Sequence, residues 1–482
     1  MQNLLILFTL AIFSSISTIW ANEKPNIIYI NVDDLGWADV GYQGSKYYET
    51  PHIDHLSRQG MVFSNAYAAA ANCAPSRASA LTGQATPRHG VYTVGESDRG
   101  ESHNRKLIPI ENTLYINNSI LTLGHAMQKA GYITATIGKW HVSENPLKNG
   151  FDINIAGSNE GGPYKGGYHS PYKYPNLVNE KPGEYLTDRL TDEAIKFITD
   201  YKENAFFLYL PYFTVHGPIE AKPEKVAYFK NKKANESQNN PNYAAMISSL
   251  DDNIGRLMKT LDTLKLSDKT IVIFTSDNGG VYKFSKQTPL RAGKGSYYEG
   301  GIREPLIIRW TGKIQAGKSD TPVSHLDFYP TFLEITQNKL PTVLEITKNK
   351  LEGKKFDGVS LVPLFNERKI ADRALYWHFP IYLQGGNKDT QDPIFRTRPG
   401  SAIRHGDWKL IQYFENNDIE LYNLKYDISE KNNLVASYPS KSEELLDKLA
   451  AWRSSMKAPI PKEPNPDFGR QKPVKPGRIK NK

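Results

Sequence analysis

The chain has 482 residues, 39% of them hydrophobic and 11% aromatic. That is enough to bury a large core, or a large domain with a smaller one beside it, and the balance excludes a disordered or membrane-embedded chain. The formal charge is +9, but Arg470, Lys472, Lys475, Arg478, Lys480 and Lys482 place six of those charges in one acid-free, Pro-, Gly- and Lys-rich terminus; it reads as a solvated tail, and no nucleic-acid partner is expected.

In chain order, Leu4 to Phe13 is apolar and Ala21 precedes the polar Asn22-Glu23-Lys24, so residues 1–21 read as a signal peptide. Export follows, with the periplasm favoured over secretion. No later apolar run reaches the length of a membrane helix and no cysteine follows the leader closely, so no membrane anchor is expected. Short apolar runs at Asn26 to Val32, Tyr132 to Ile137, Ala205 to Tyr212 and Thr270 to Thr275 read as strands. Between them, Ile120 to Ala130, Thr187 to Tyr201 and Tyr243 to Leu264 carry apolar residues at helical spacing. The alternation predicts an α/β sheet covered on both faces, with functional groups at the carboxyl ends of its strands. From about Arg373 the pattern changes to short strands at Ala374 to His378, Trp408 to Tyr413 and Ile419 to Asn423, then a helix over Ser442 to Met456, as in a smaller α+β domain. The expected organisation is a leader at 1–21, a catalytic domain at 22–370, a smaller domain at 371–457 and a basic tail at 458–482. An eight-residue segment from Leu333 recurs from Leu344, a local duplication near the junction.

Cys73 is the only cysteine. It has no partner for an internal disulfide, and in an oxidising compartment its thiol must be buried or used. Its surroundings are Cys73-Ala74-Pro75-Ser76-Arg77, with Leu81-Thr82-Gly83 following. This resembles the signature of type I, formylglycine-dependent sulfatases at every fixed position. The resemblance implies that a formylglycine-generating maturation enzyme oxidises Cys73 to formylglycine (3-oxoalanine). One hydroxyl of the hydrated aldehyde then attacks sulfur, and the other later expels sulfate.

Sulfate ester cleavage places negative charge on the sulfuryl and leaving oxygens, so it needs a cation, fixed donors and an acid. Asp33 and Asp34 end one strand and Asp277-Asn278 end another, four oxygen side chains that suit a hard cation. Alone, such pairs are commonly turn residues; the resemblance implies that with residue 73 they bind one Ca2+. Lys139 and His141, in Gly138-Lys139-Trp140-His141, fall on one face if the backbone is extended, with Trp140 on the other. The resemblance assigns these two to the sulfate and the nucleophile, His216 to the leaving oxygen, Arg77 to the formylglycine, and Lys294 to a glycine-rich loop that approaches the anion. Val142-Ser143 stand where many members carry Leu-Gly, a departure expected to alter the pocket wall.

The family resemblance runs from about Asn26 to Leu434 and implies an alkaline-phosphatase-like fold: a large central sheet flanked by helices, plus a smaller C-terminal α+β domain. The expected activity is hydrolysis of sulfate esters on a sulfated carbohydrate, a polysaccharide or its oligosaccharides, of ulvan or carrageenan type. The alternatives are a phosphomonoester or phosphonate hydrolase of the same fold, or a non-catalytic glycan-binding relative. The polar stretch from Asn145 to Tyr185 reads either as a sugar-facing rim, with Tyr164, Lys165 and His169 as contacts, or as a structural lid.

Overall fold

The strand Asn26–Val32 is buried along its whole length, as a strand covered on both faces must be. Its side chains alternate between two cores. Ile28, Ile30 and Val32 join Leu208, Leu210, Val272 and Phe274 on one face, while Ile27 and Tyr29 join Phe207, Tyr209, Ile271 and Ile273 on the other. The first core is closed by the helices Pro51–Gln59, Leu186–Asp200 and Pro241–Thr263. The second is closed by Cys73–Thr82, Leu123–Lys129 and Phe328–Gln337.

This computed structural model describes residues 24–337 and 356–470. The leader at 1–21, the second copy of the duplicated segment and the tail beyond Arg470 lie outside the described residues. Eight strands form the central sheet, in the order Gly317–Ser319, Met61–Phe63, Leu306–Arg309, Thr270–Ser276, Asn26–Val32, Phe206–Pro211, Ile133–Ile137 and Ile153–Ile155. Asn26–Val32 runs parallel to both its neighbours, and Leu306–Arg309 is antiparallel to both of its own. The fold is the alkaline-phosphatase-like one anticipated, a mixed central sheet between helical layers. No helix among the described residues is long and apolar enough to cross a membrane.

Element ends follow local chemistry. The helix expected from Ile120 starts at Leu123 because Thr122 caps it, forming a reciprocal box with His125. The last helix starts at Pro439, three residues earlier than the apolar pattern indicates, because proline suits a first turn.

A separate four-stranded antiparallel sheet is built from Ala374–Phe379, Gly400–His405, Trp408–Tyr413 and Ile419–Asn423. One face packs Ile403, Leu410 and Leu421 on Leu445 and Leu449 of the last helix. The other packs Trp377, Phe379 and Tyr413 on Tyr67, Tyr297 and Tyr298 of the larger body. Lys409, with no exposed surface, bridges Glu299 at 2.9 Å and Glu430 at 2.8 Å across that joint. Beyond the helix the chain returns to the larger body: Ile108 N–H donates to Glu463 O at 2.9 Å and Asn465 Nδ2 to Arg105 O at 2.8 Å.

Candidate active site

Four neighbouring parallel strands end at one edge of the sheet and deliver the polar groups there, as expected of such sheets. Val32 pairs with Ser276, so Asp33 and Asp277 leave adjacent strands side by side. The strand Ile133–Ile137 leads into Lys139 and His141, and Phe206–Pro211 leads through a short turn to His216. Cys73 is the first residue of the helix Cys73–Thr82, where unpaired N–H groups and the helix dipole favour an anion. Arg77 follows one turn later on the same side.

These residues form two tiers. Asp34, Cys73, His141, His216 and Lys294 line a cleft of ≈ 890 Å³. Beneath them Asp33, Arg77, Lys139, Asp277 and Asn278 are each no more than 1% exposed. Arg77 donates from Nε to Asp277 Oδ2 at 2.7 Å and from Nη1 to Lys139 O at 2.9 Å. Lys139 Nζ donates to Asp33 Oδ2 at 2.6 Å. Lys294 Nζ lies 2.6 Å from Asp34 Oδ1 and 3.3 Å from Cys73 Sγ. The residues expected from the sequence to be catalytic or to bind the cation are therefore gathered at one place, but Lys139 and Arg77 hold the acids from behind and do not line the open cleft.

The route that brings Lys139 and His141 there differs from the extended one expected. Gly138 has φ 125° and His141 φ 57°, so the chain turns after Ile137, and Gly138 takes the conformation that no L side chain adopts easily. Trp140 still points into the core, with its ring 5.4 Å from Phe151. Val142 and Ser143 are buried there too and do not form the cleft wall. Ser143 Oγ accepts from Trp140 Nε1 at 2.8 Å and donates to Asn149 Oδ1 at 2.5 Å.

The donor set fits a hard cation. One carboxylate oxygen from each of Asp33, Asp34 and Asp277 lies within 4.8 Å of the others. Asp33 Oδ1 and Asn278 Oδ1 are buried and accept no hydrogen bond, a costly state for oxygens without a cation. Burial raises the carboxyl of Asp33, and the neighbouring acids add to it beyond what Lys139 offsets. Burial acts on Asp34 as well, but Lys294 and His216 outweigh it and hold that carboxyl below the usual range. On Asp277 burial is outweighed chiefly by Arg77.

The two imidazoles are desolvated. Burial, then Lys294, brings His216 down to about 3, and burial with Lys139 lowers His141 strongly. His216 Nδ1 lies 2.7 Å from Gly217 O. In the neutral ring Nδ1 is thus the donor, and Nε2 faces Asp34 Oδ2 at 3.8 Å with its lone pair free. Burial also raises the Cys73 thiol despite Lys139 and Lys294.

The stretch from Asn145 to Tyr185 is divided between the core and the cleft. Tyr168, Tyr172, Tyr174 and Tyr185 are core residues, and Tyr168 donates to Phe213 O at 2.7 Å and to His216 O at 2.8 Å. Of the expected rim contacts, Tyr164 lines the cleft, with its ring 6.1 Å from that of His216. Lys165 and His169 do not line it. Lys165 pairs with Glu160 at 3.5 Å, and His169 sits 5.2 Å from the Tyr185 ring. Gly161 and Gly162 let this segment approach both histidines, since a Cβ at either would lie 2.8 or 2.9 Å from an imidazole carbon. Sequence reading missed Arg99 and Arg396, which also line the cleft. Both come from irregular or very short elements that carry no periodic signal.

With this geometry in view, residues 25–338 match the family model described as sulfatase. Residues 293–455 match that of the C-terminal region of N-sulphoglucosamine sulphohydrolase. A sulfatase of Formosa agariphila is 33% identical over 91% of this chain and 90% of its own length. Human N-acetylgalactosamine-6-sulfatase is 30% identical over 74% of this chain and 69% of its own. Among solved structures, Ps i-CgsB in complex with k-i-k-neocarrahexaose superposes with a TM-score of 0.73 at 30% identity, covering 92% of this chain and 95% of that one. The chain belongs to the sulfatase family and is a sulfuric ester hydrolase.

Proposed function

We propose that the enzyme removes sulfate from a sulfated polysaccharide or its oligosaccharides, of ulvan or carrageenan type, after Cys73 has been oxidised to formylglycine. The observation that carries this reading is the position of Cys73 at a helix N-terminus, 3.3 Å from Lys294 Nζ, in a cleft shared with two histidines and an acid cluster. The carrageenan class is supported by the likeness to a structure solved with a neocarrahexaose.

Asp33, Asp34, Asp277 and Asn278, with residue 73, would hold one Ca2+, which supplies positive charge to the sulfuryl oxygens. Formylglycine supplies a hydrated aldehyde as nucleophile, and its making requires the maturation enzyme as a partner. The protein's own groups do the rest. Arg77 and Lys139 fix the acids and neutralise them. Lys294 binds the sulfuryl oxygens beside residue 73, and His141, which lines the same cleft, orients the nucleophile. His216 holds or passes the proton of the leaving oxygen at Nε2. The catalytic unit is assigned to 22–370, the smaller domain to 371–457 and the tail to 458–482, with export to the periplasm directed by residues 1–21.

The test is release of inorganic sulfate from a panel of ulvan, carrageenan and glycosaminoglycan oligosaccharides by protein whose residue 73 is verified as formylglycine. Sulfate release confined to glycosaminoglycans replaces the ulvan or carrageenan class with that one. No release from any member of the panel overturns the carbohydrate reading.

A further inference from the structure

We propose that Arg99 and Arg396 form a second anion subsite, which binds another oxyanion of the same glycan, a neighbouring sulfate or a uronate carboxylate, while the scissile sulfate lies at residue 73. This deepens the proposed function and rests on it.

Both arginines line the cleft that contains Cys73 and Lys294. They arrive from different parts of the chain, Arg99 from an irregular stretch and Arg396 from the strand Phe395–Thr397. Neither has a carboxylate partner among the described residues, unlike the arginines nearest to them. Arg398, two positions along, pairs with Asp392 at 2.5 Å and Glu415 at 2.8 Å. Arg105 pairs with Asp98 at 3.3 Å. Of these four arginines, the two without a carboxylate partner are those that face the cleft.

Arg396 is held in place. Its Cδ passes 2.9 Å from where a Cβ on Gly295 would stand, and its Nε and Nη2 lie 3.5 Å from the same position on Gly385. Nη1 makes one long contact, 3.5 Å to Lys294 O, which ties the side chain to the loop whose ammonium reaches Cys73. Burial lowers the proton affinity of Arg396, the negative charge of Asp34 opposes that, and the charge of Arg99 adds a smaller lowering, although a guanidinium stays charged. Two partly desolvated guanidiniums that repel each other are what a planar or tetrahedral oxyanion relieves, through charge-assisted and bidentate hydrogen bonds. Arg396 feels the charge of Asp34, but among the described residues neither arginine hydrogen-bonds to or ion-pairs with the acid cluster, so the pair discriminates between glycans without being needed to hold the cation.

The experiment compares wild type with R99Q, R396Q and R396K on three disaccharides that share one scissile sulfate. The first carries no other anion, the second a further sulfate and the third a uronate carboxylate. The expected result is that R99Q and R396Q lower the kcat/KM ratio of a dianionic over the monoanionic disaccharide by about tenfold or more, with partial recovery in R396K. A fall confined to the disulfated or to the uronate probe identifies which oxyanion the subsite takes. The same variants on a Cys73→Ala background are titrated with each disaccharide by calorimetry, so the subsite is read even if no turnover occurs. Ratios and affinities that stay within twofold of wild type, or that fall equally on all three probes, overturn the subsite.

Discussion

Arg77 and Asp277 form a 2.7 Å ion pair with neither side chain exposed, linking the helix that presents Cys73 to the strand end that presents the acid cluster. Replacing Arg77 by Gln leaves Asp277 buried without its charge partner and frees Lys139 O. Breaking a pair of this kind costs about 3 kcal/mol or more. Urea unfolding of R77Q should show a loss of that order, and an unchanged midpoint would mean that water or another cation reaches the site.

The signature around Cys73 is complete, so protein made with a maturation system should carry an aldehyde at that position, visible by peptide mass spectrometry. Cys73→Ala is expected to abolish turnover. Cys73→Ser should come close to it, because a serine sulfate has no second hydroxyl with which to expel the anion. A fully active preparation holding only the thiol would remove formylglycine from the mechanism.

Asp33 Oδ1 and Asn278 Oδ1 face the acid cluster with no hydrogen-bond donor. Stripping divalent ions with a strong chelator should therefore both suppress activity and lower the melting temperature, since a cation that binds only the folded state stabilises it by mass action. Calcium is expected to restore both better than zinc, which prefers nitrogen and sulfur ligands. Undiminished activity in metal-free protein excludes the site.

Much of this arrangement is visible in the sequence because strand and pattern coincide. Asn26 to Val32 is apolar apart from Asn26 and Asn31, and the run breaks where the strand ends and Asp33 begins. Asp277 and His216 also follow apolar runs, and it is the family resemblance that singles them out there. What escapes is set by backbone and tertiary contact. His141 reaches the cleft through a left-handed backbone, which no spacing rule reports. Tyr164 and Tyr168 lie four residues apart in one polar stretch, yet one faces the cleft and the other packs in the core. Arg99 and Arg396 are separated by about three-fifths of the chain and share the cleft only in the folded protein.

Two histidines outside the acid cluster make stability pH-dependent. His89 accepts from Val91 N–H at Nδ1, 3.1 Å away, and faces Ser79 Oγ at 2.9 Å through Nε2. His378 lies 2.9 Å from Pro459 O and 2.8 Å from Ser401 Oγ. Burial brings them down to about 3 and about 4, against about 6.5 in the unfolded chain. The unfolded state therefore binds more protons below that value. Stability held above about pH 6.5 should be lost on acidification towards the folded pKa of each, by about 1.4 kcal/mol per pH unit for each histidine. Denaturant unfolding of His378→Gln between pH 7 and 5 should show a shallower slope than wild type. An identical slope would show that His378 does not titrate differently on folding.

The last prediction separates Tyr164 from its neighbours. Tyr164 is 64% exposed and its ring stands against His216 in the cleft, so it can stack on a sugar face. Lys165 and His169 are turned to Glu160 and Tyr185. Tyr164→Ala should lower kcat/KM on an oligosaccharide several-fold more than on a small aryl sulfate, because binding remote from the reacting centre is used only by the larger substrate. Lys165→Ala and His169→Ala should leave that ratio near its wild-type value. Tyr168→Phe, which removes the hydrogen bonds to Phe213 O and His216 O, should instead lower both substrates together by disturbing the turn that carries His216. If Tyr164→Ala also fell equally on both substrates, its ring would be acting as packing for His216, and the sugar contact would have to be sought among the residues on the opposite wall of the cleft.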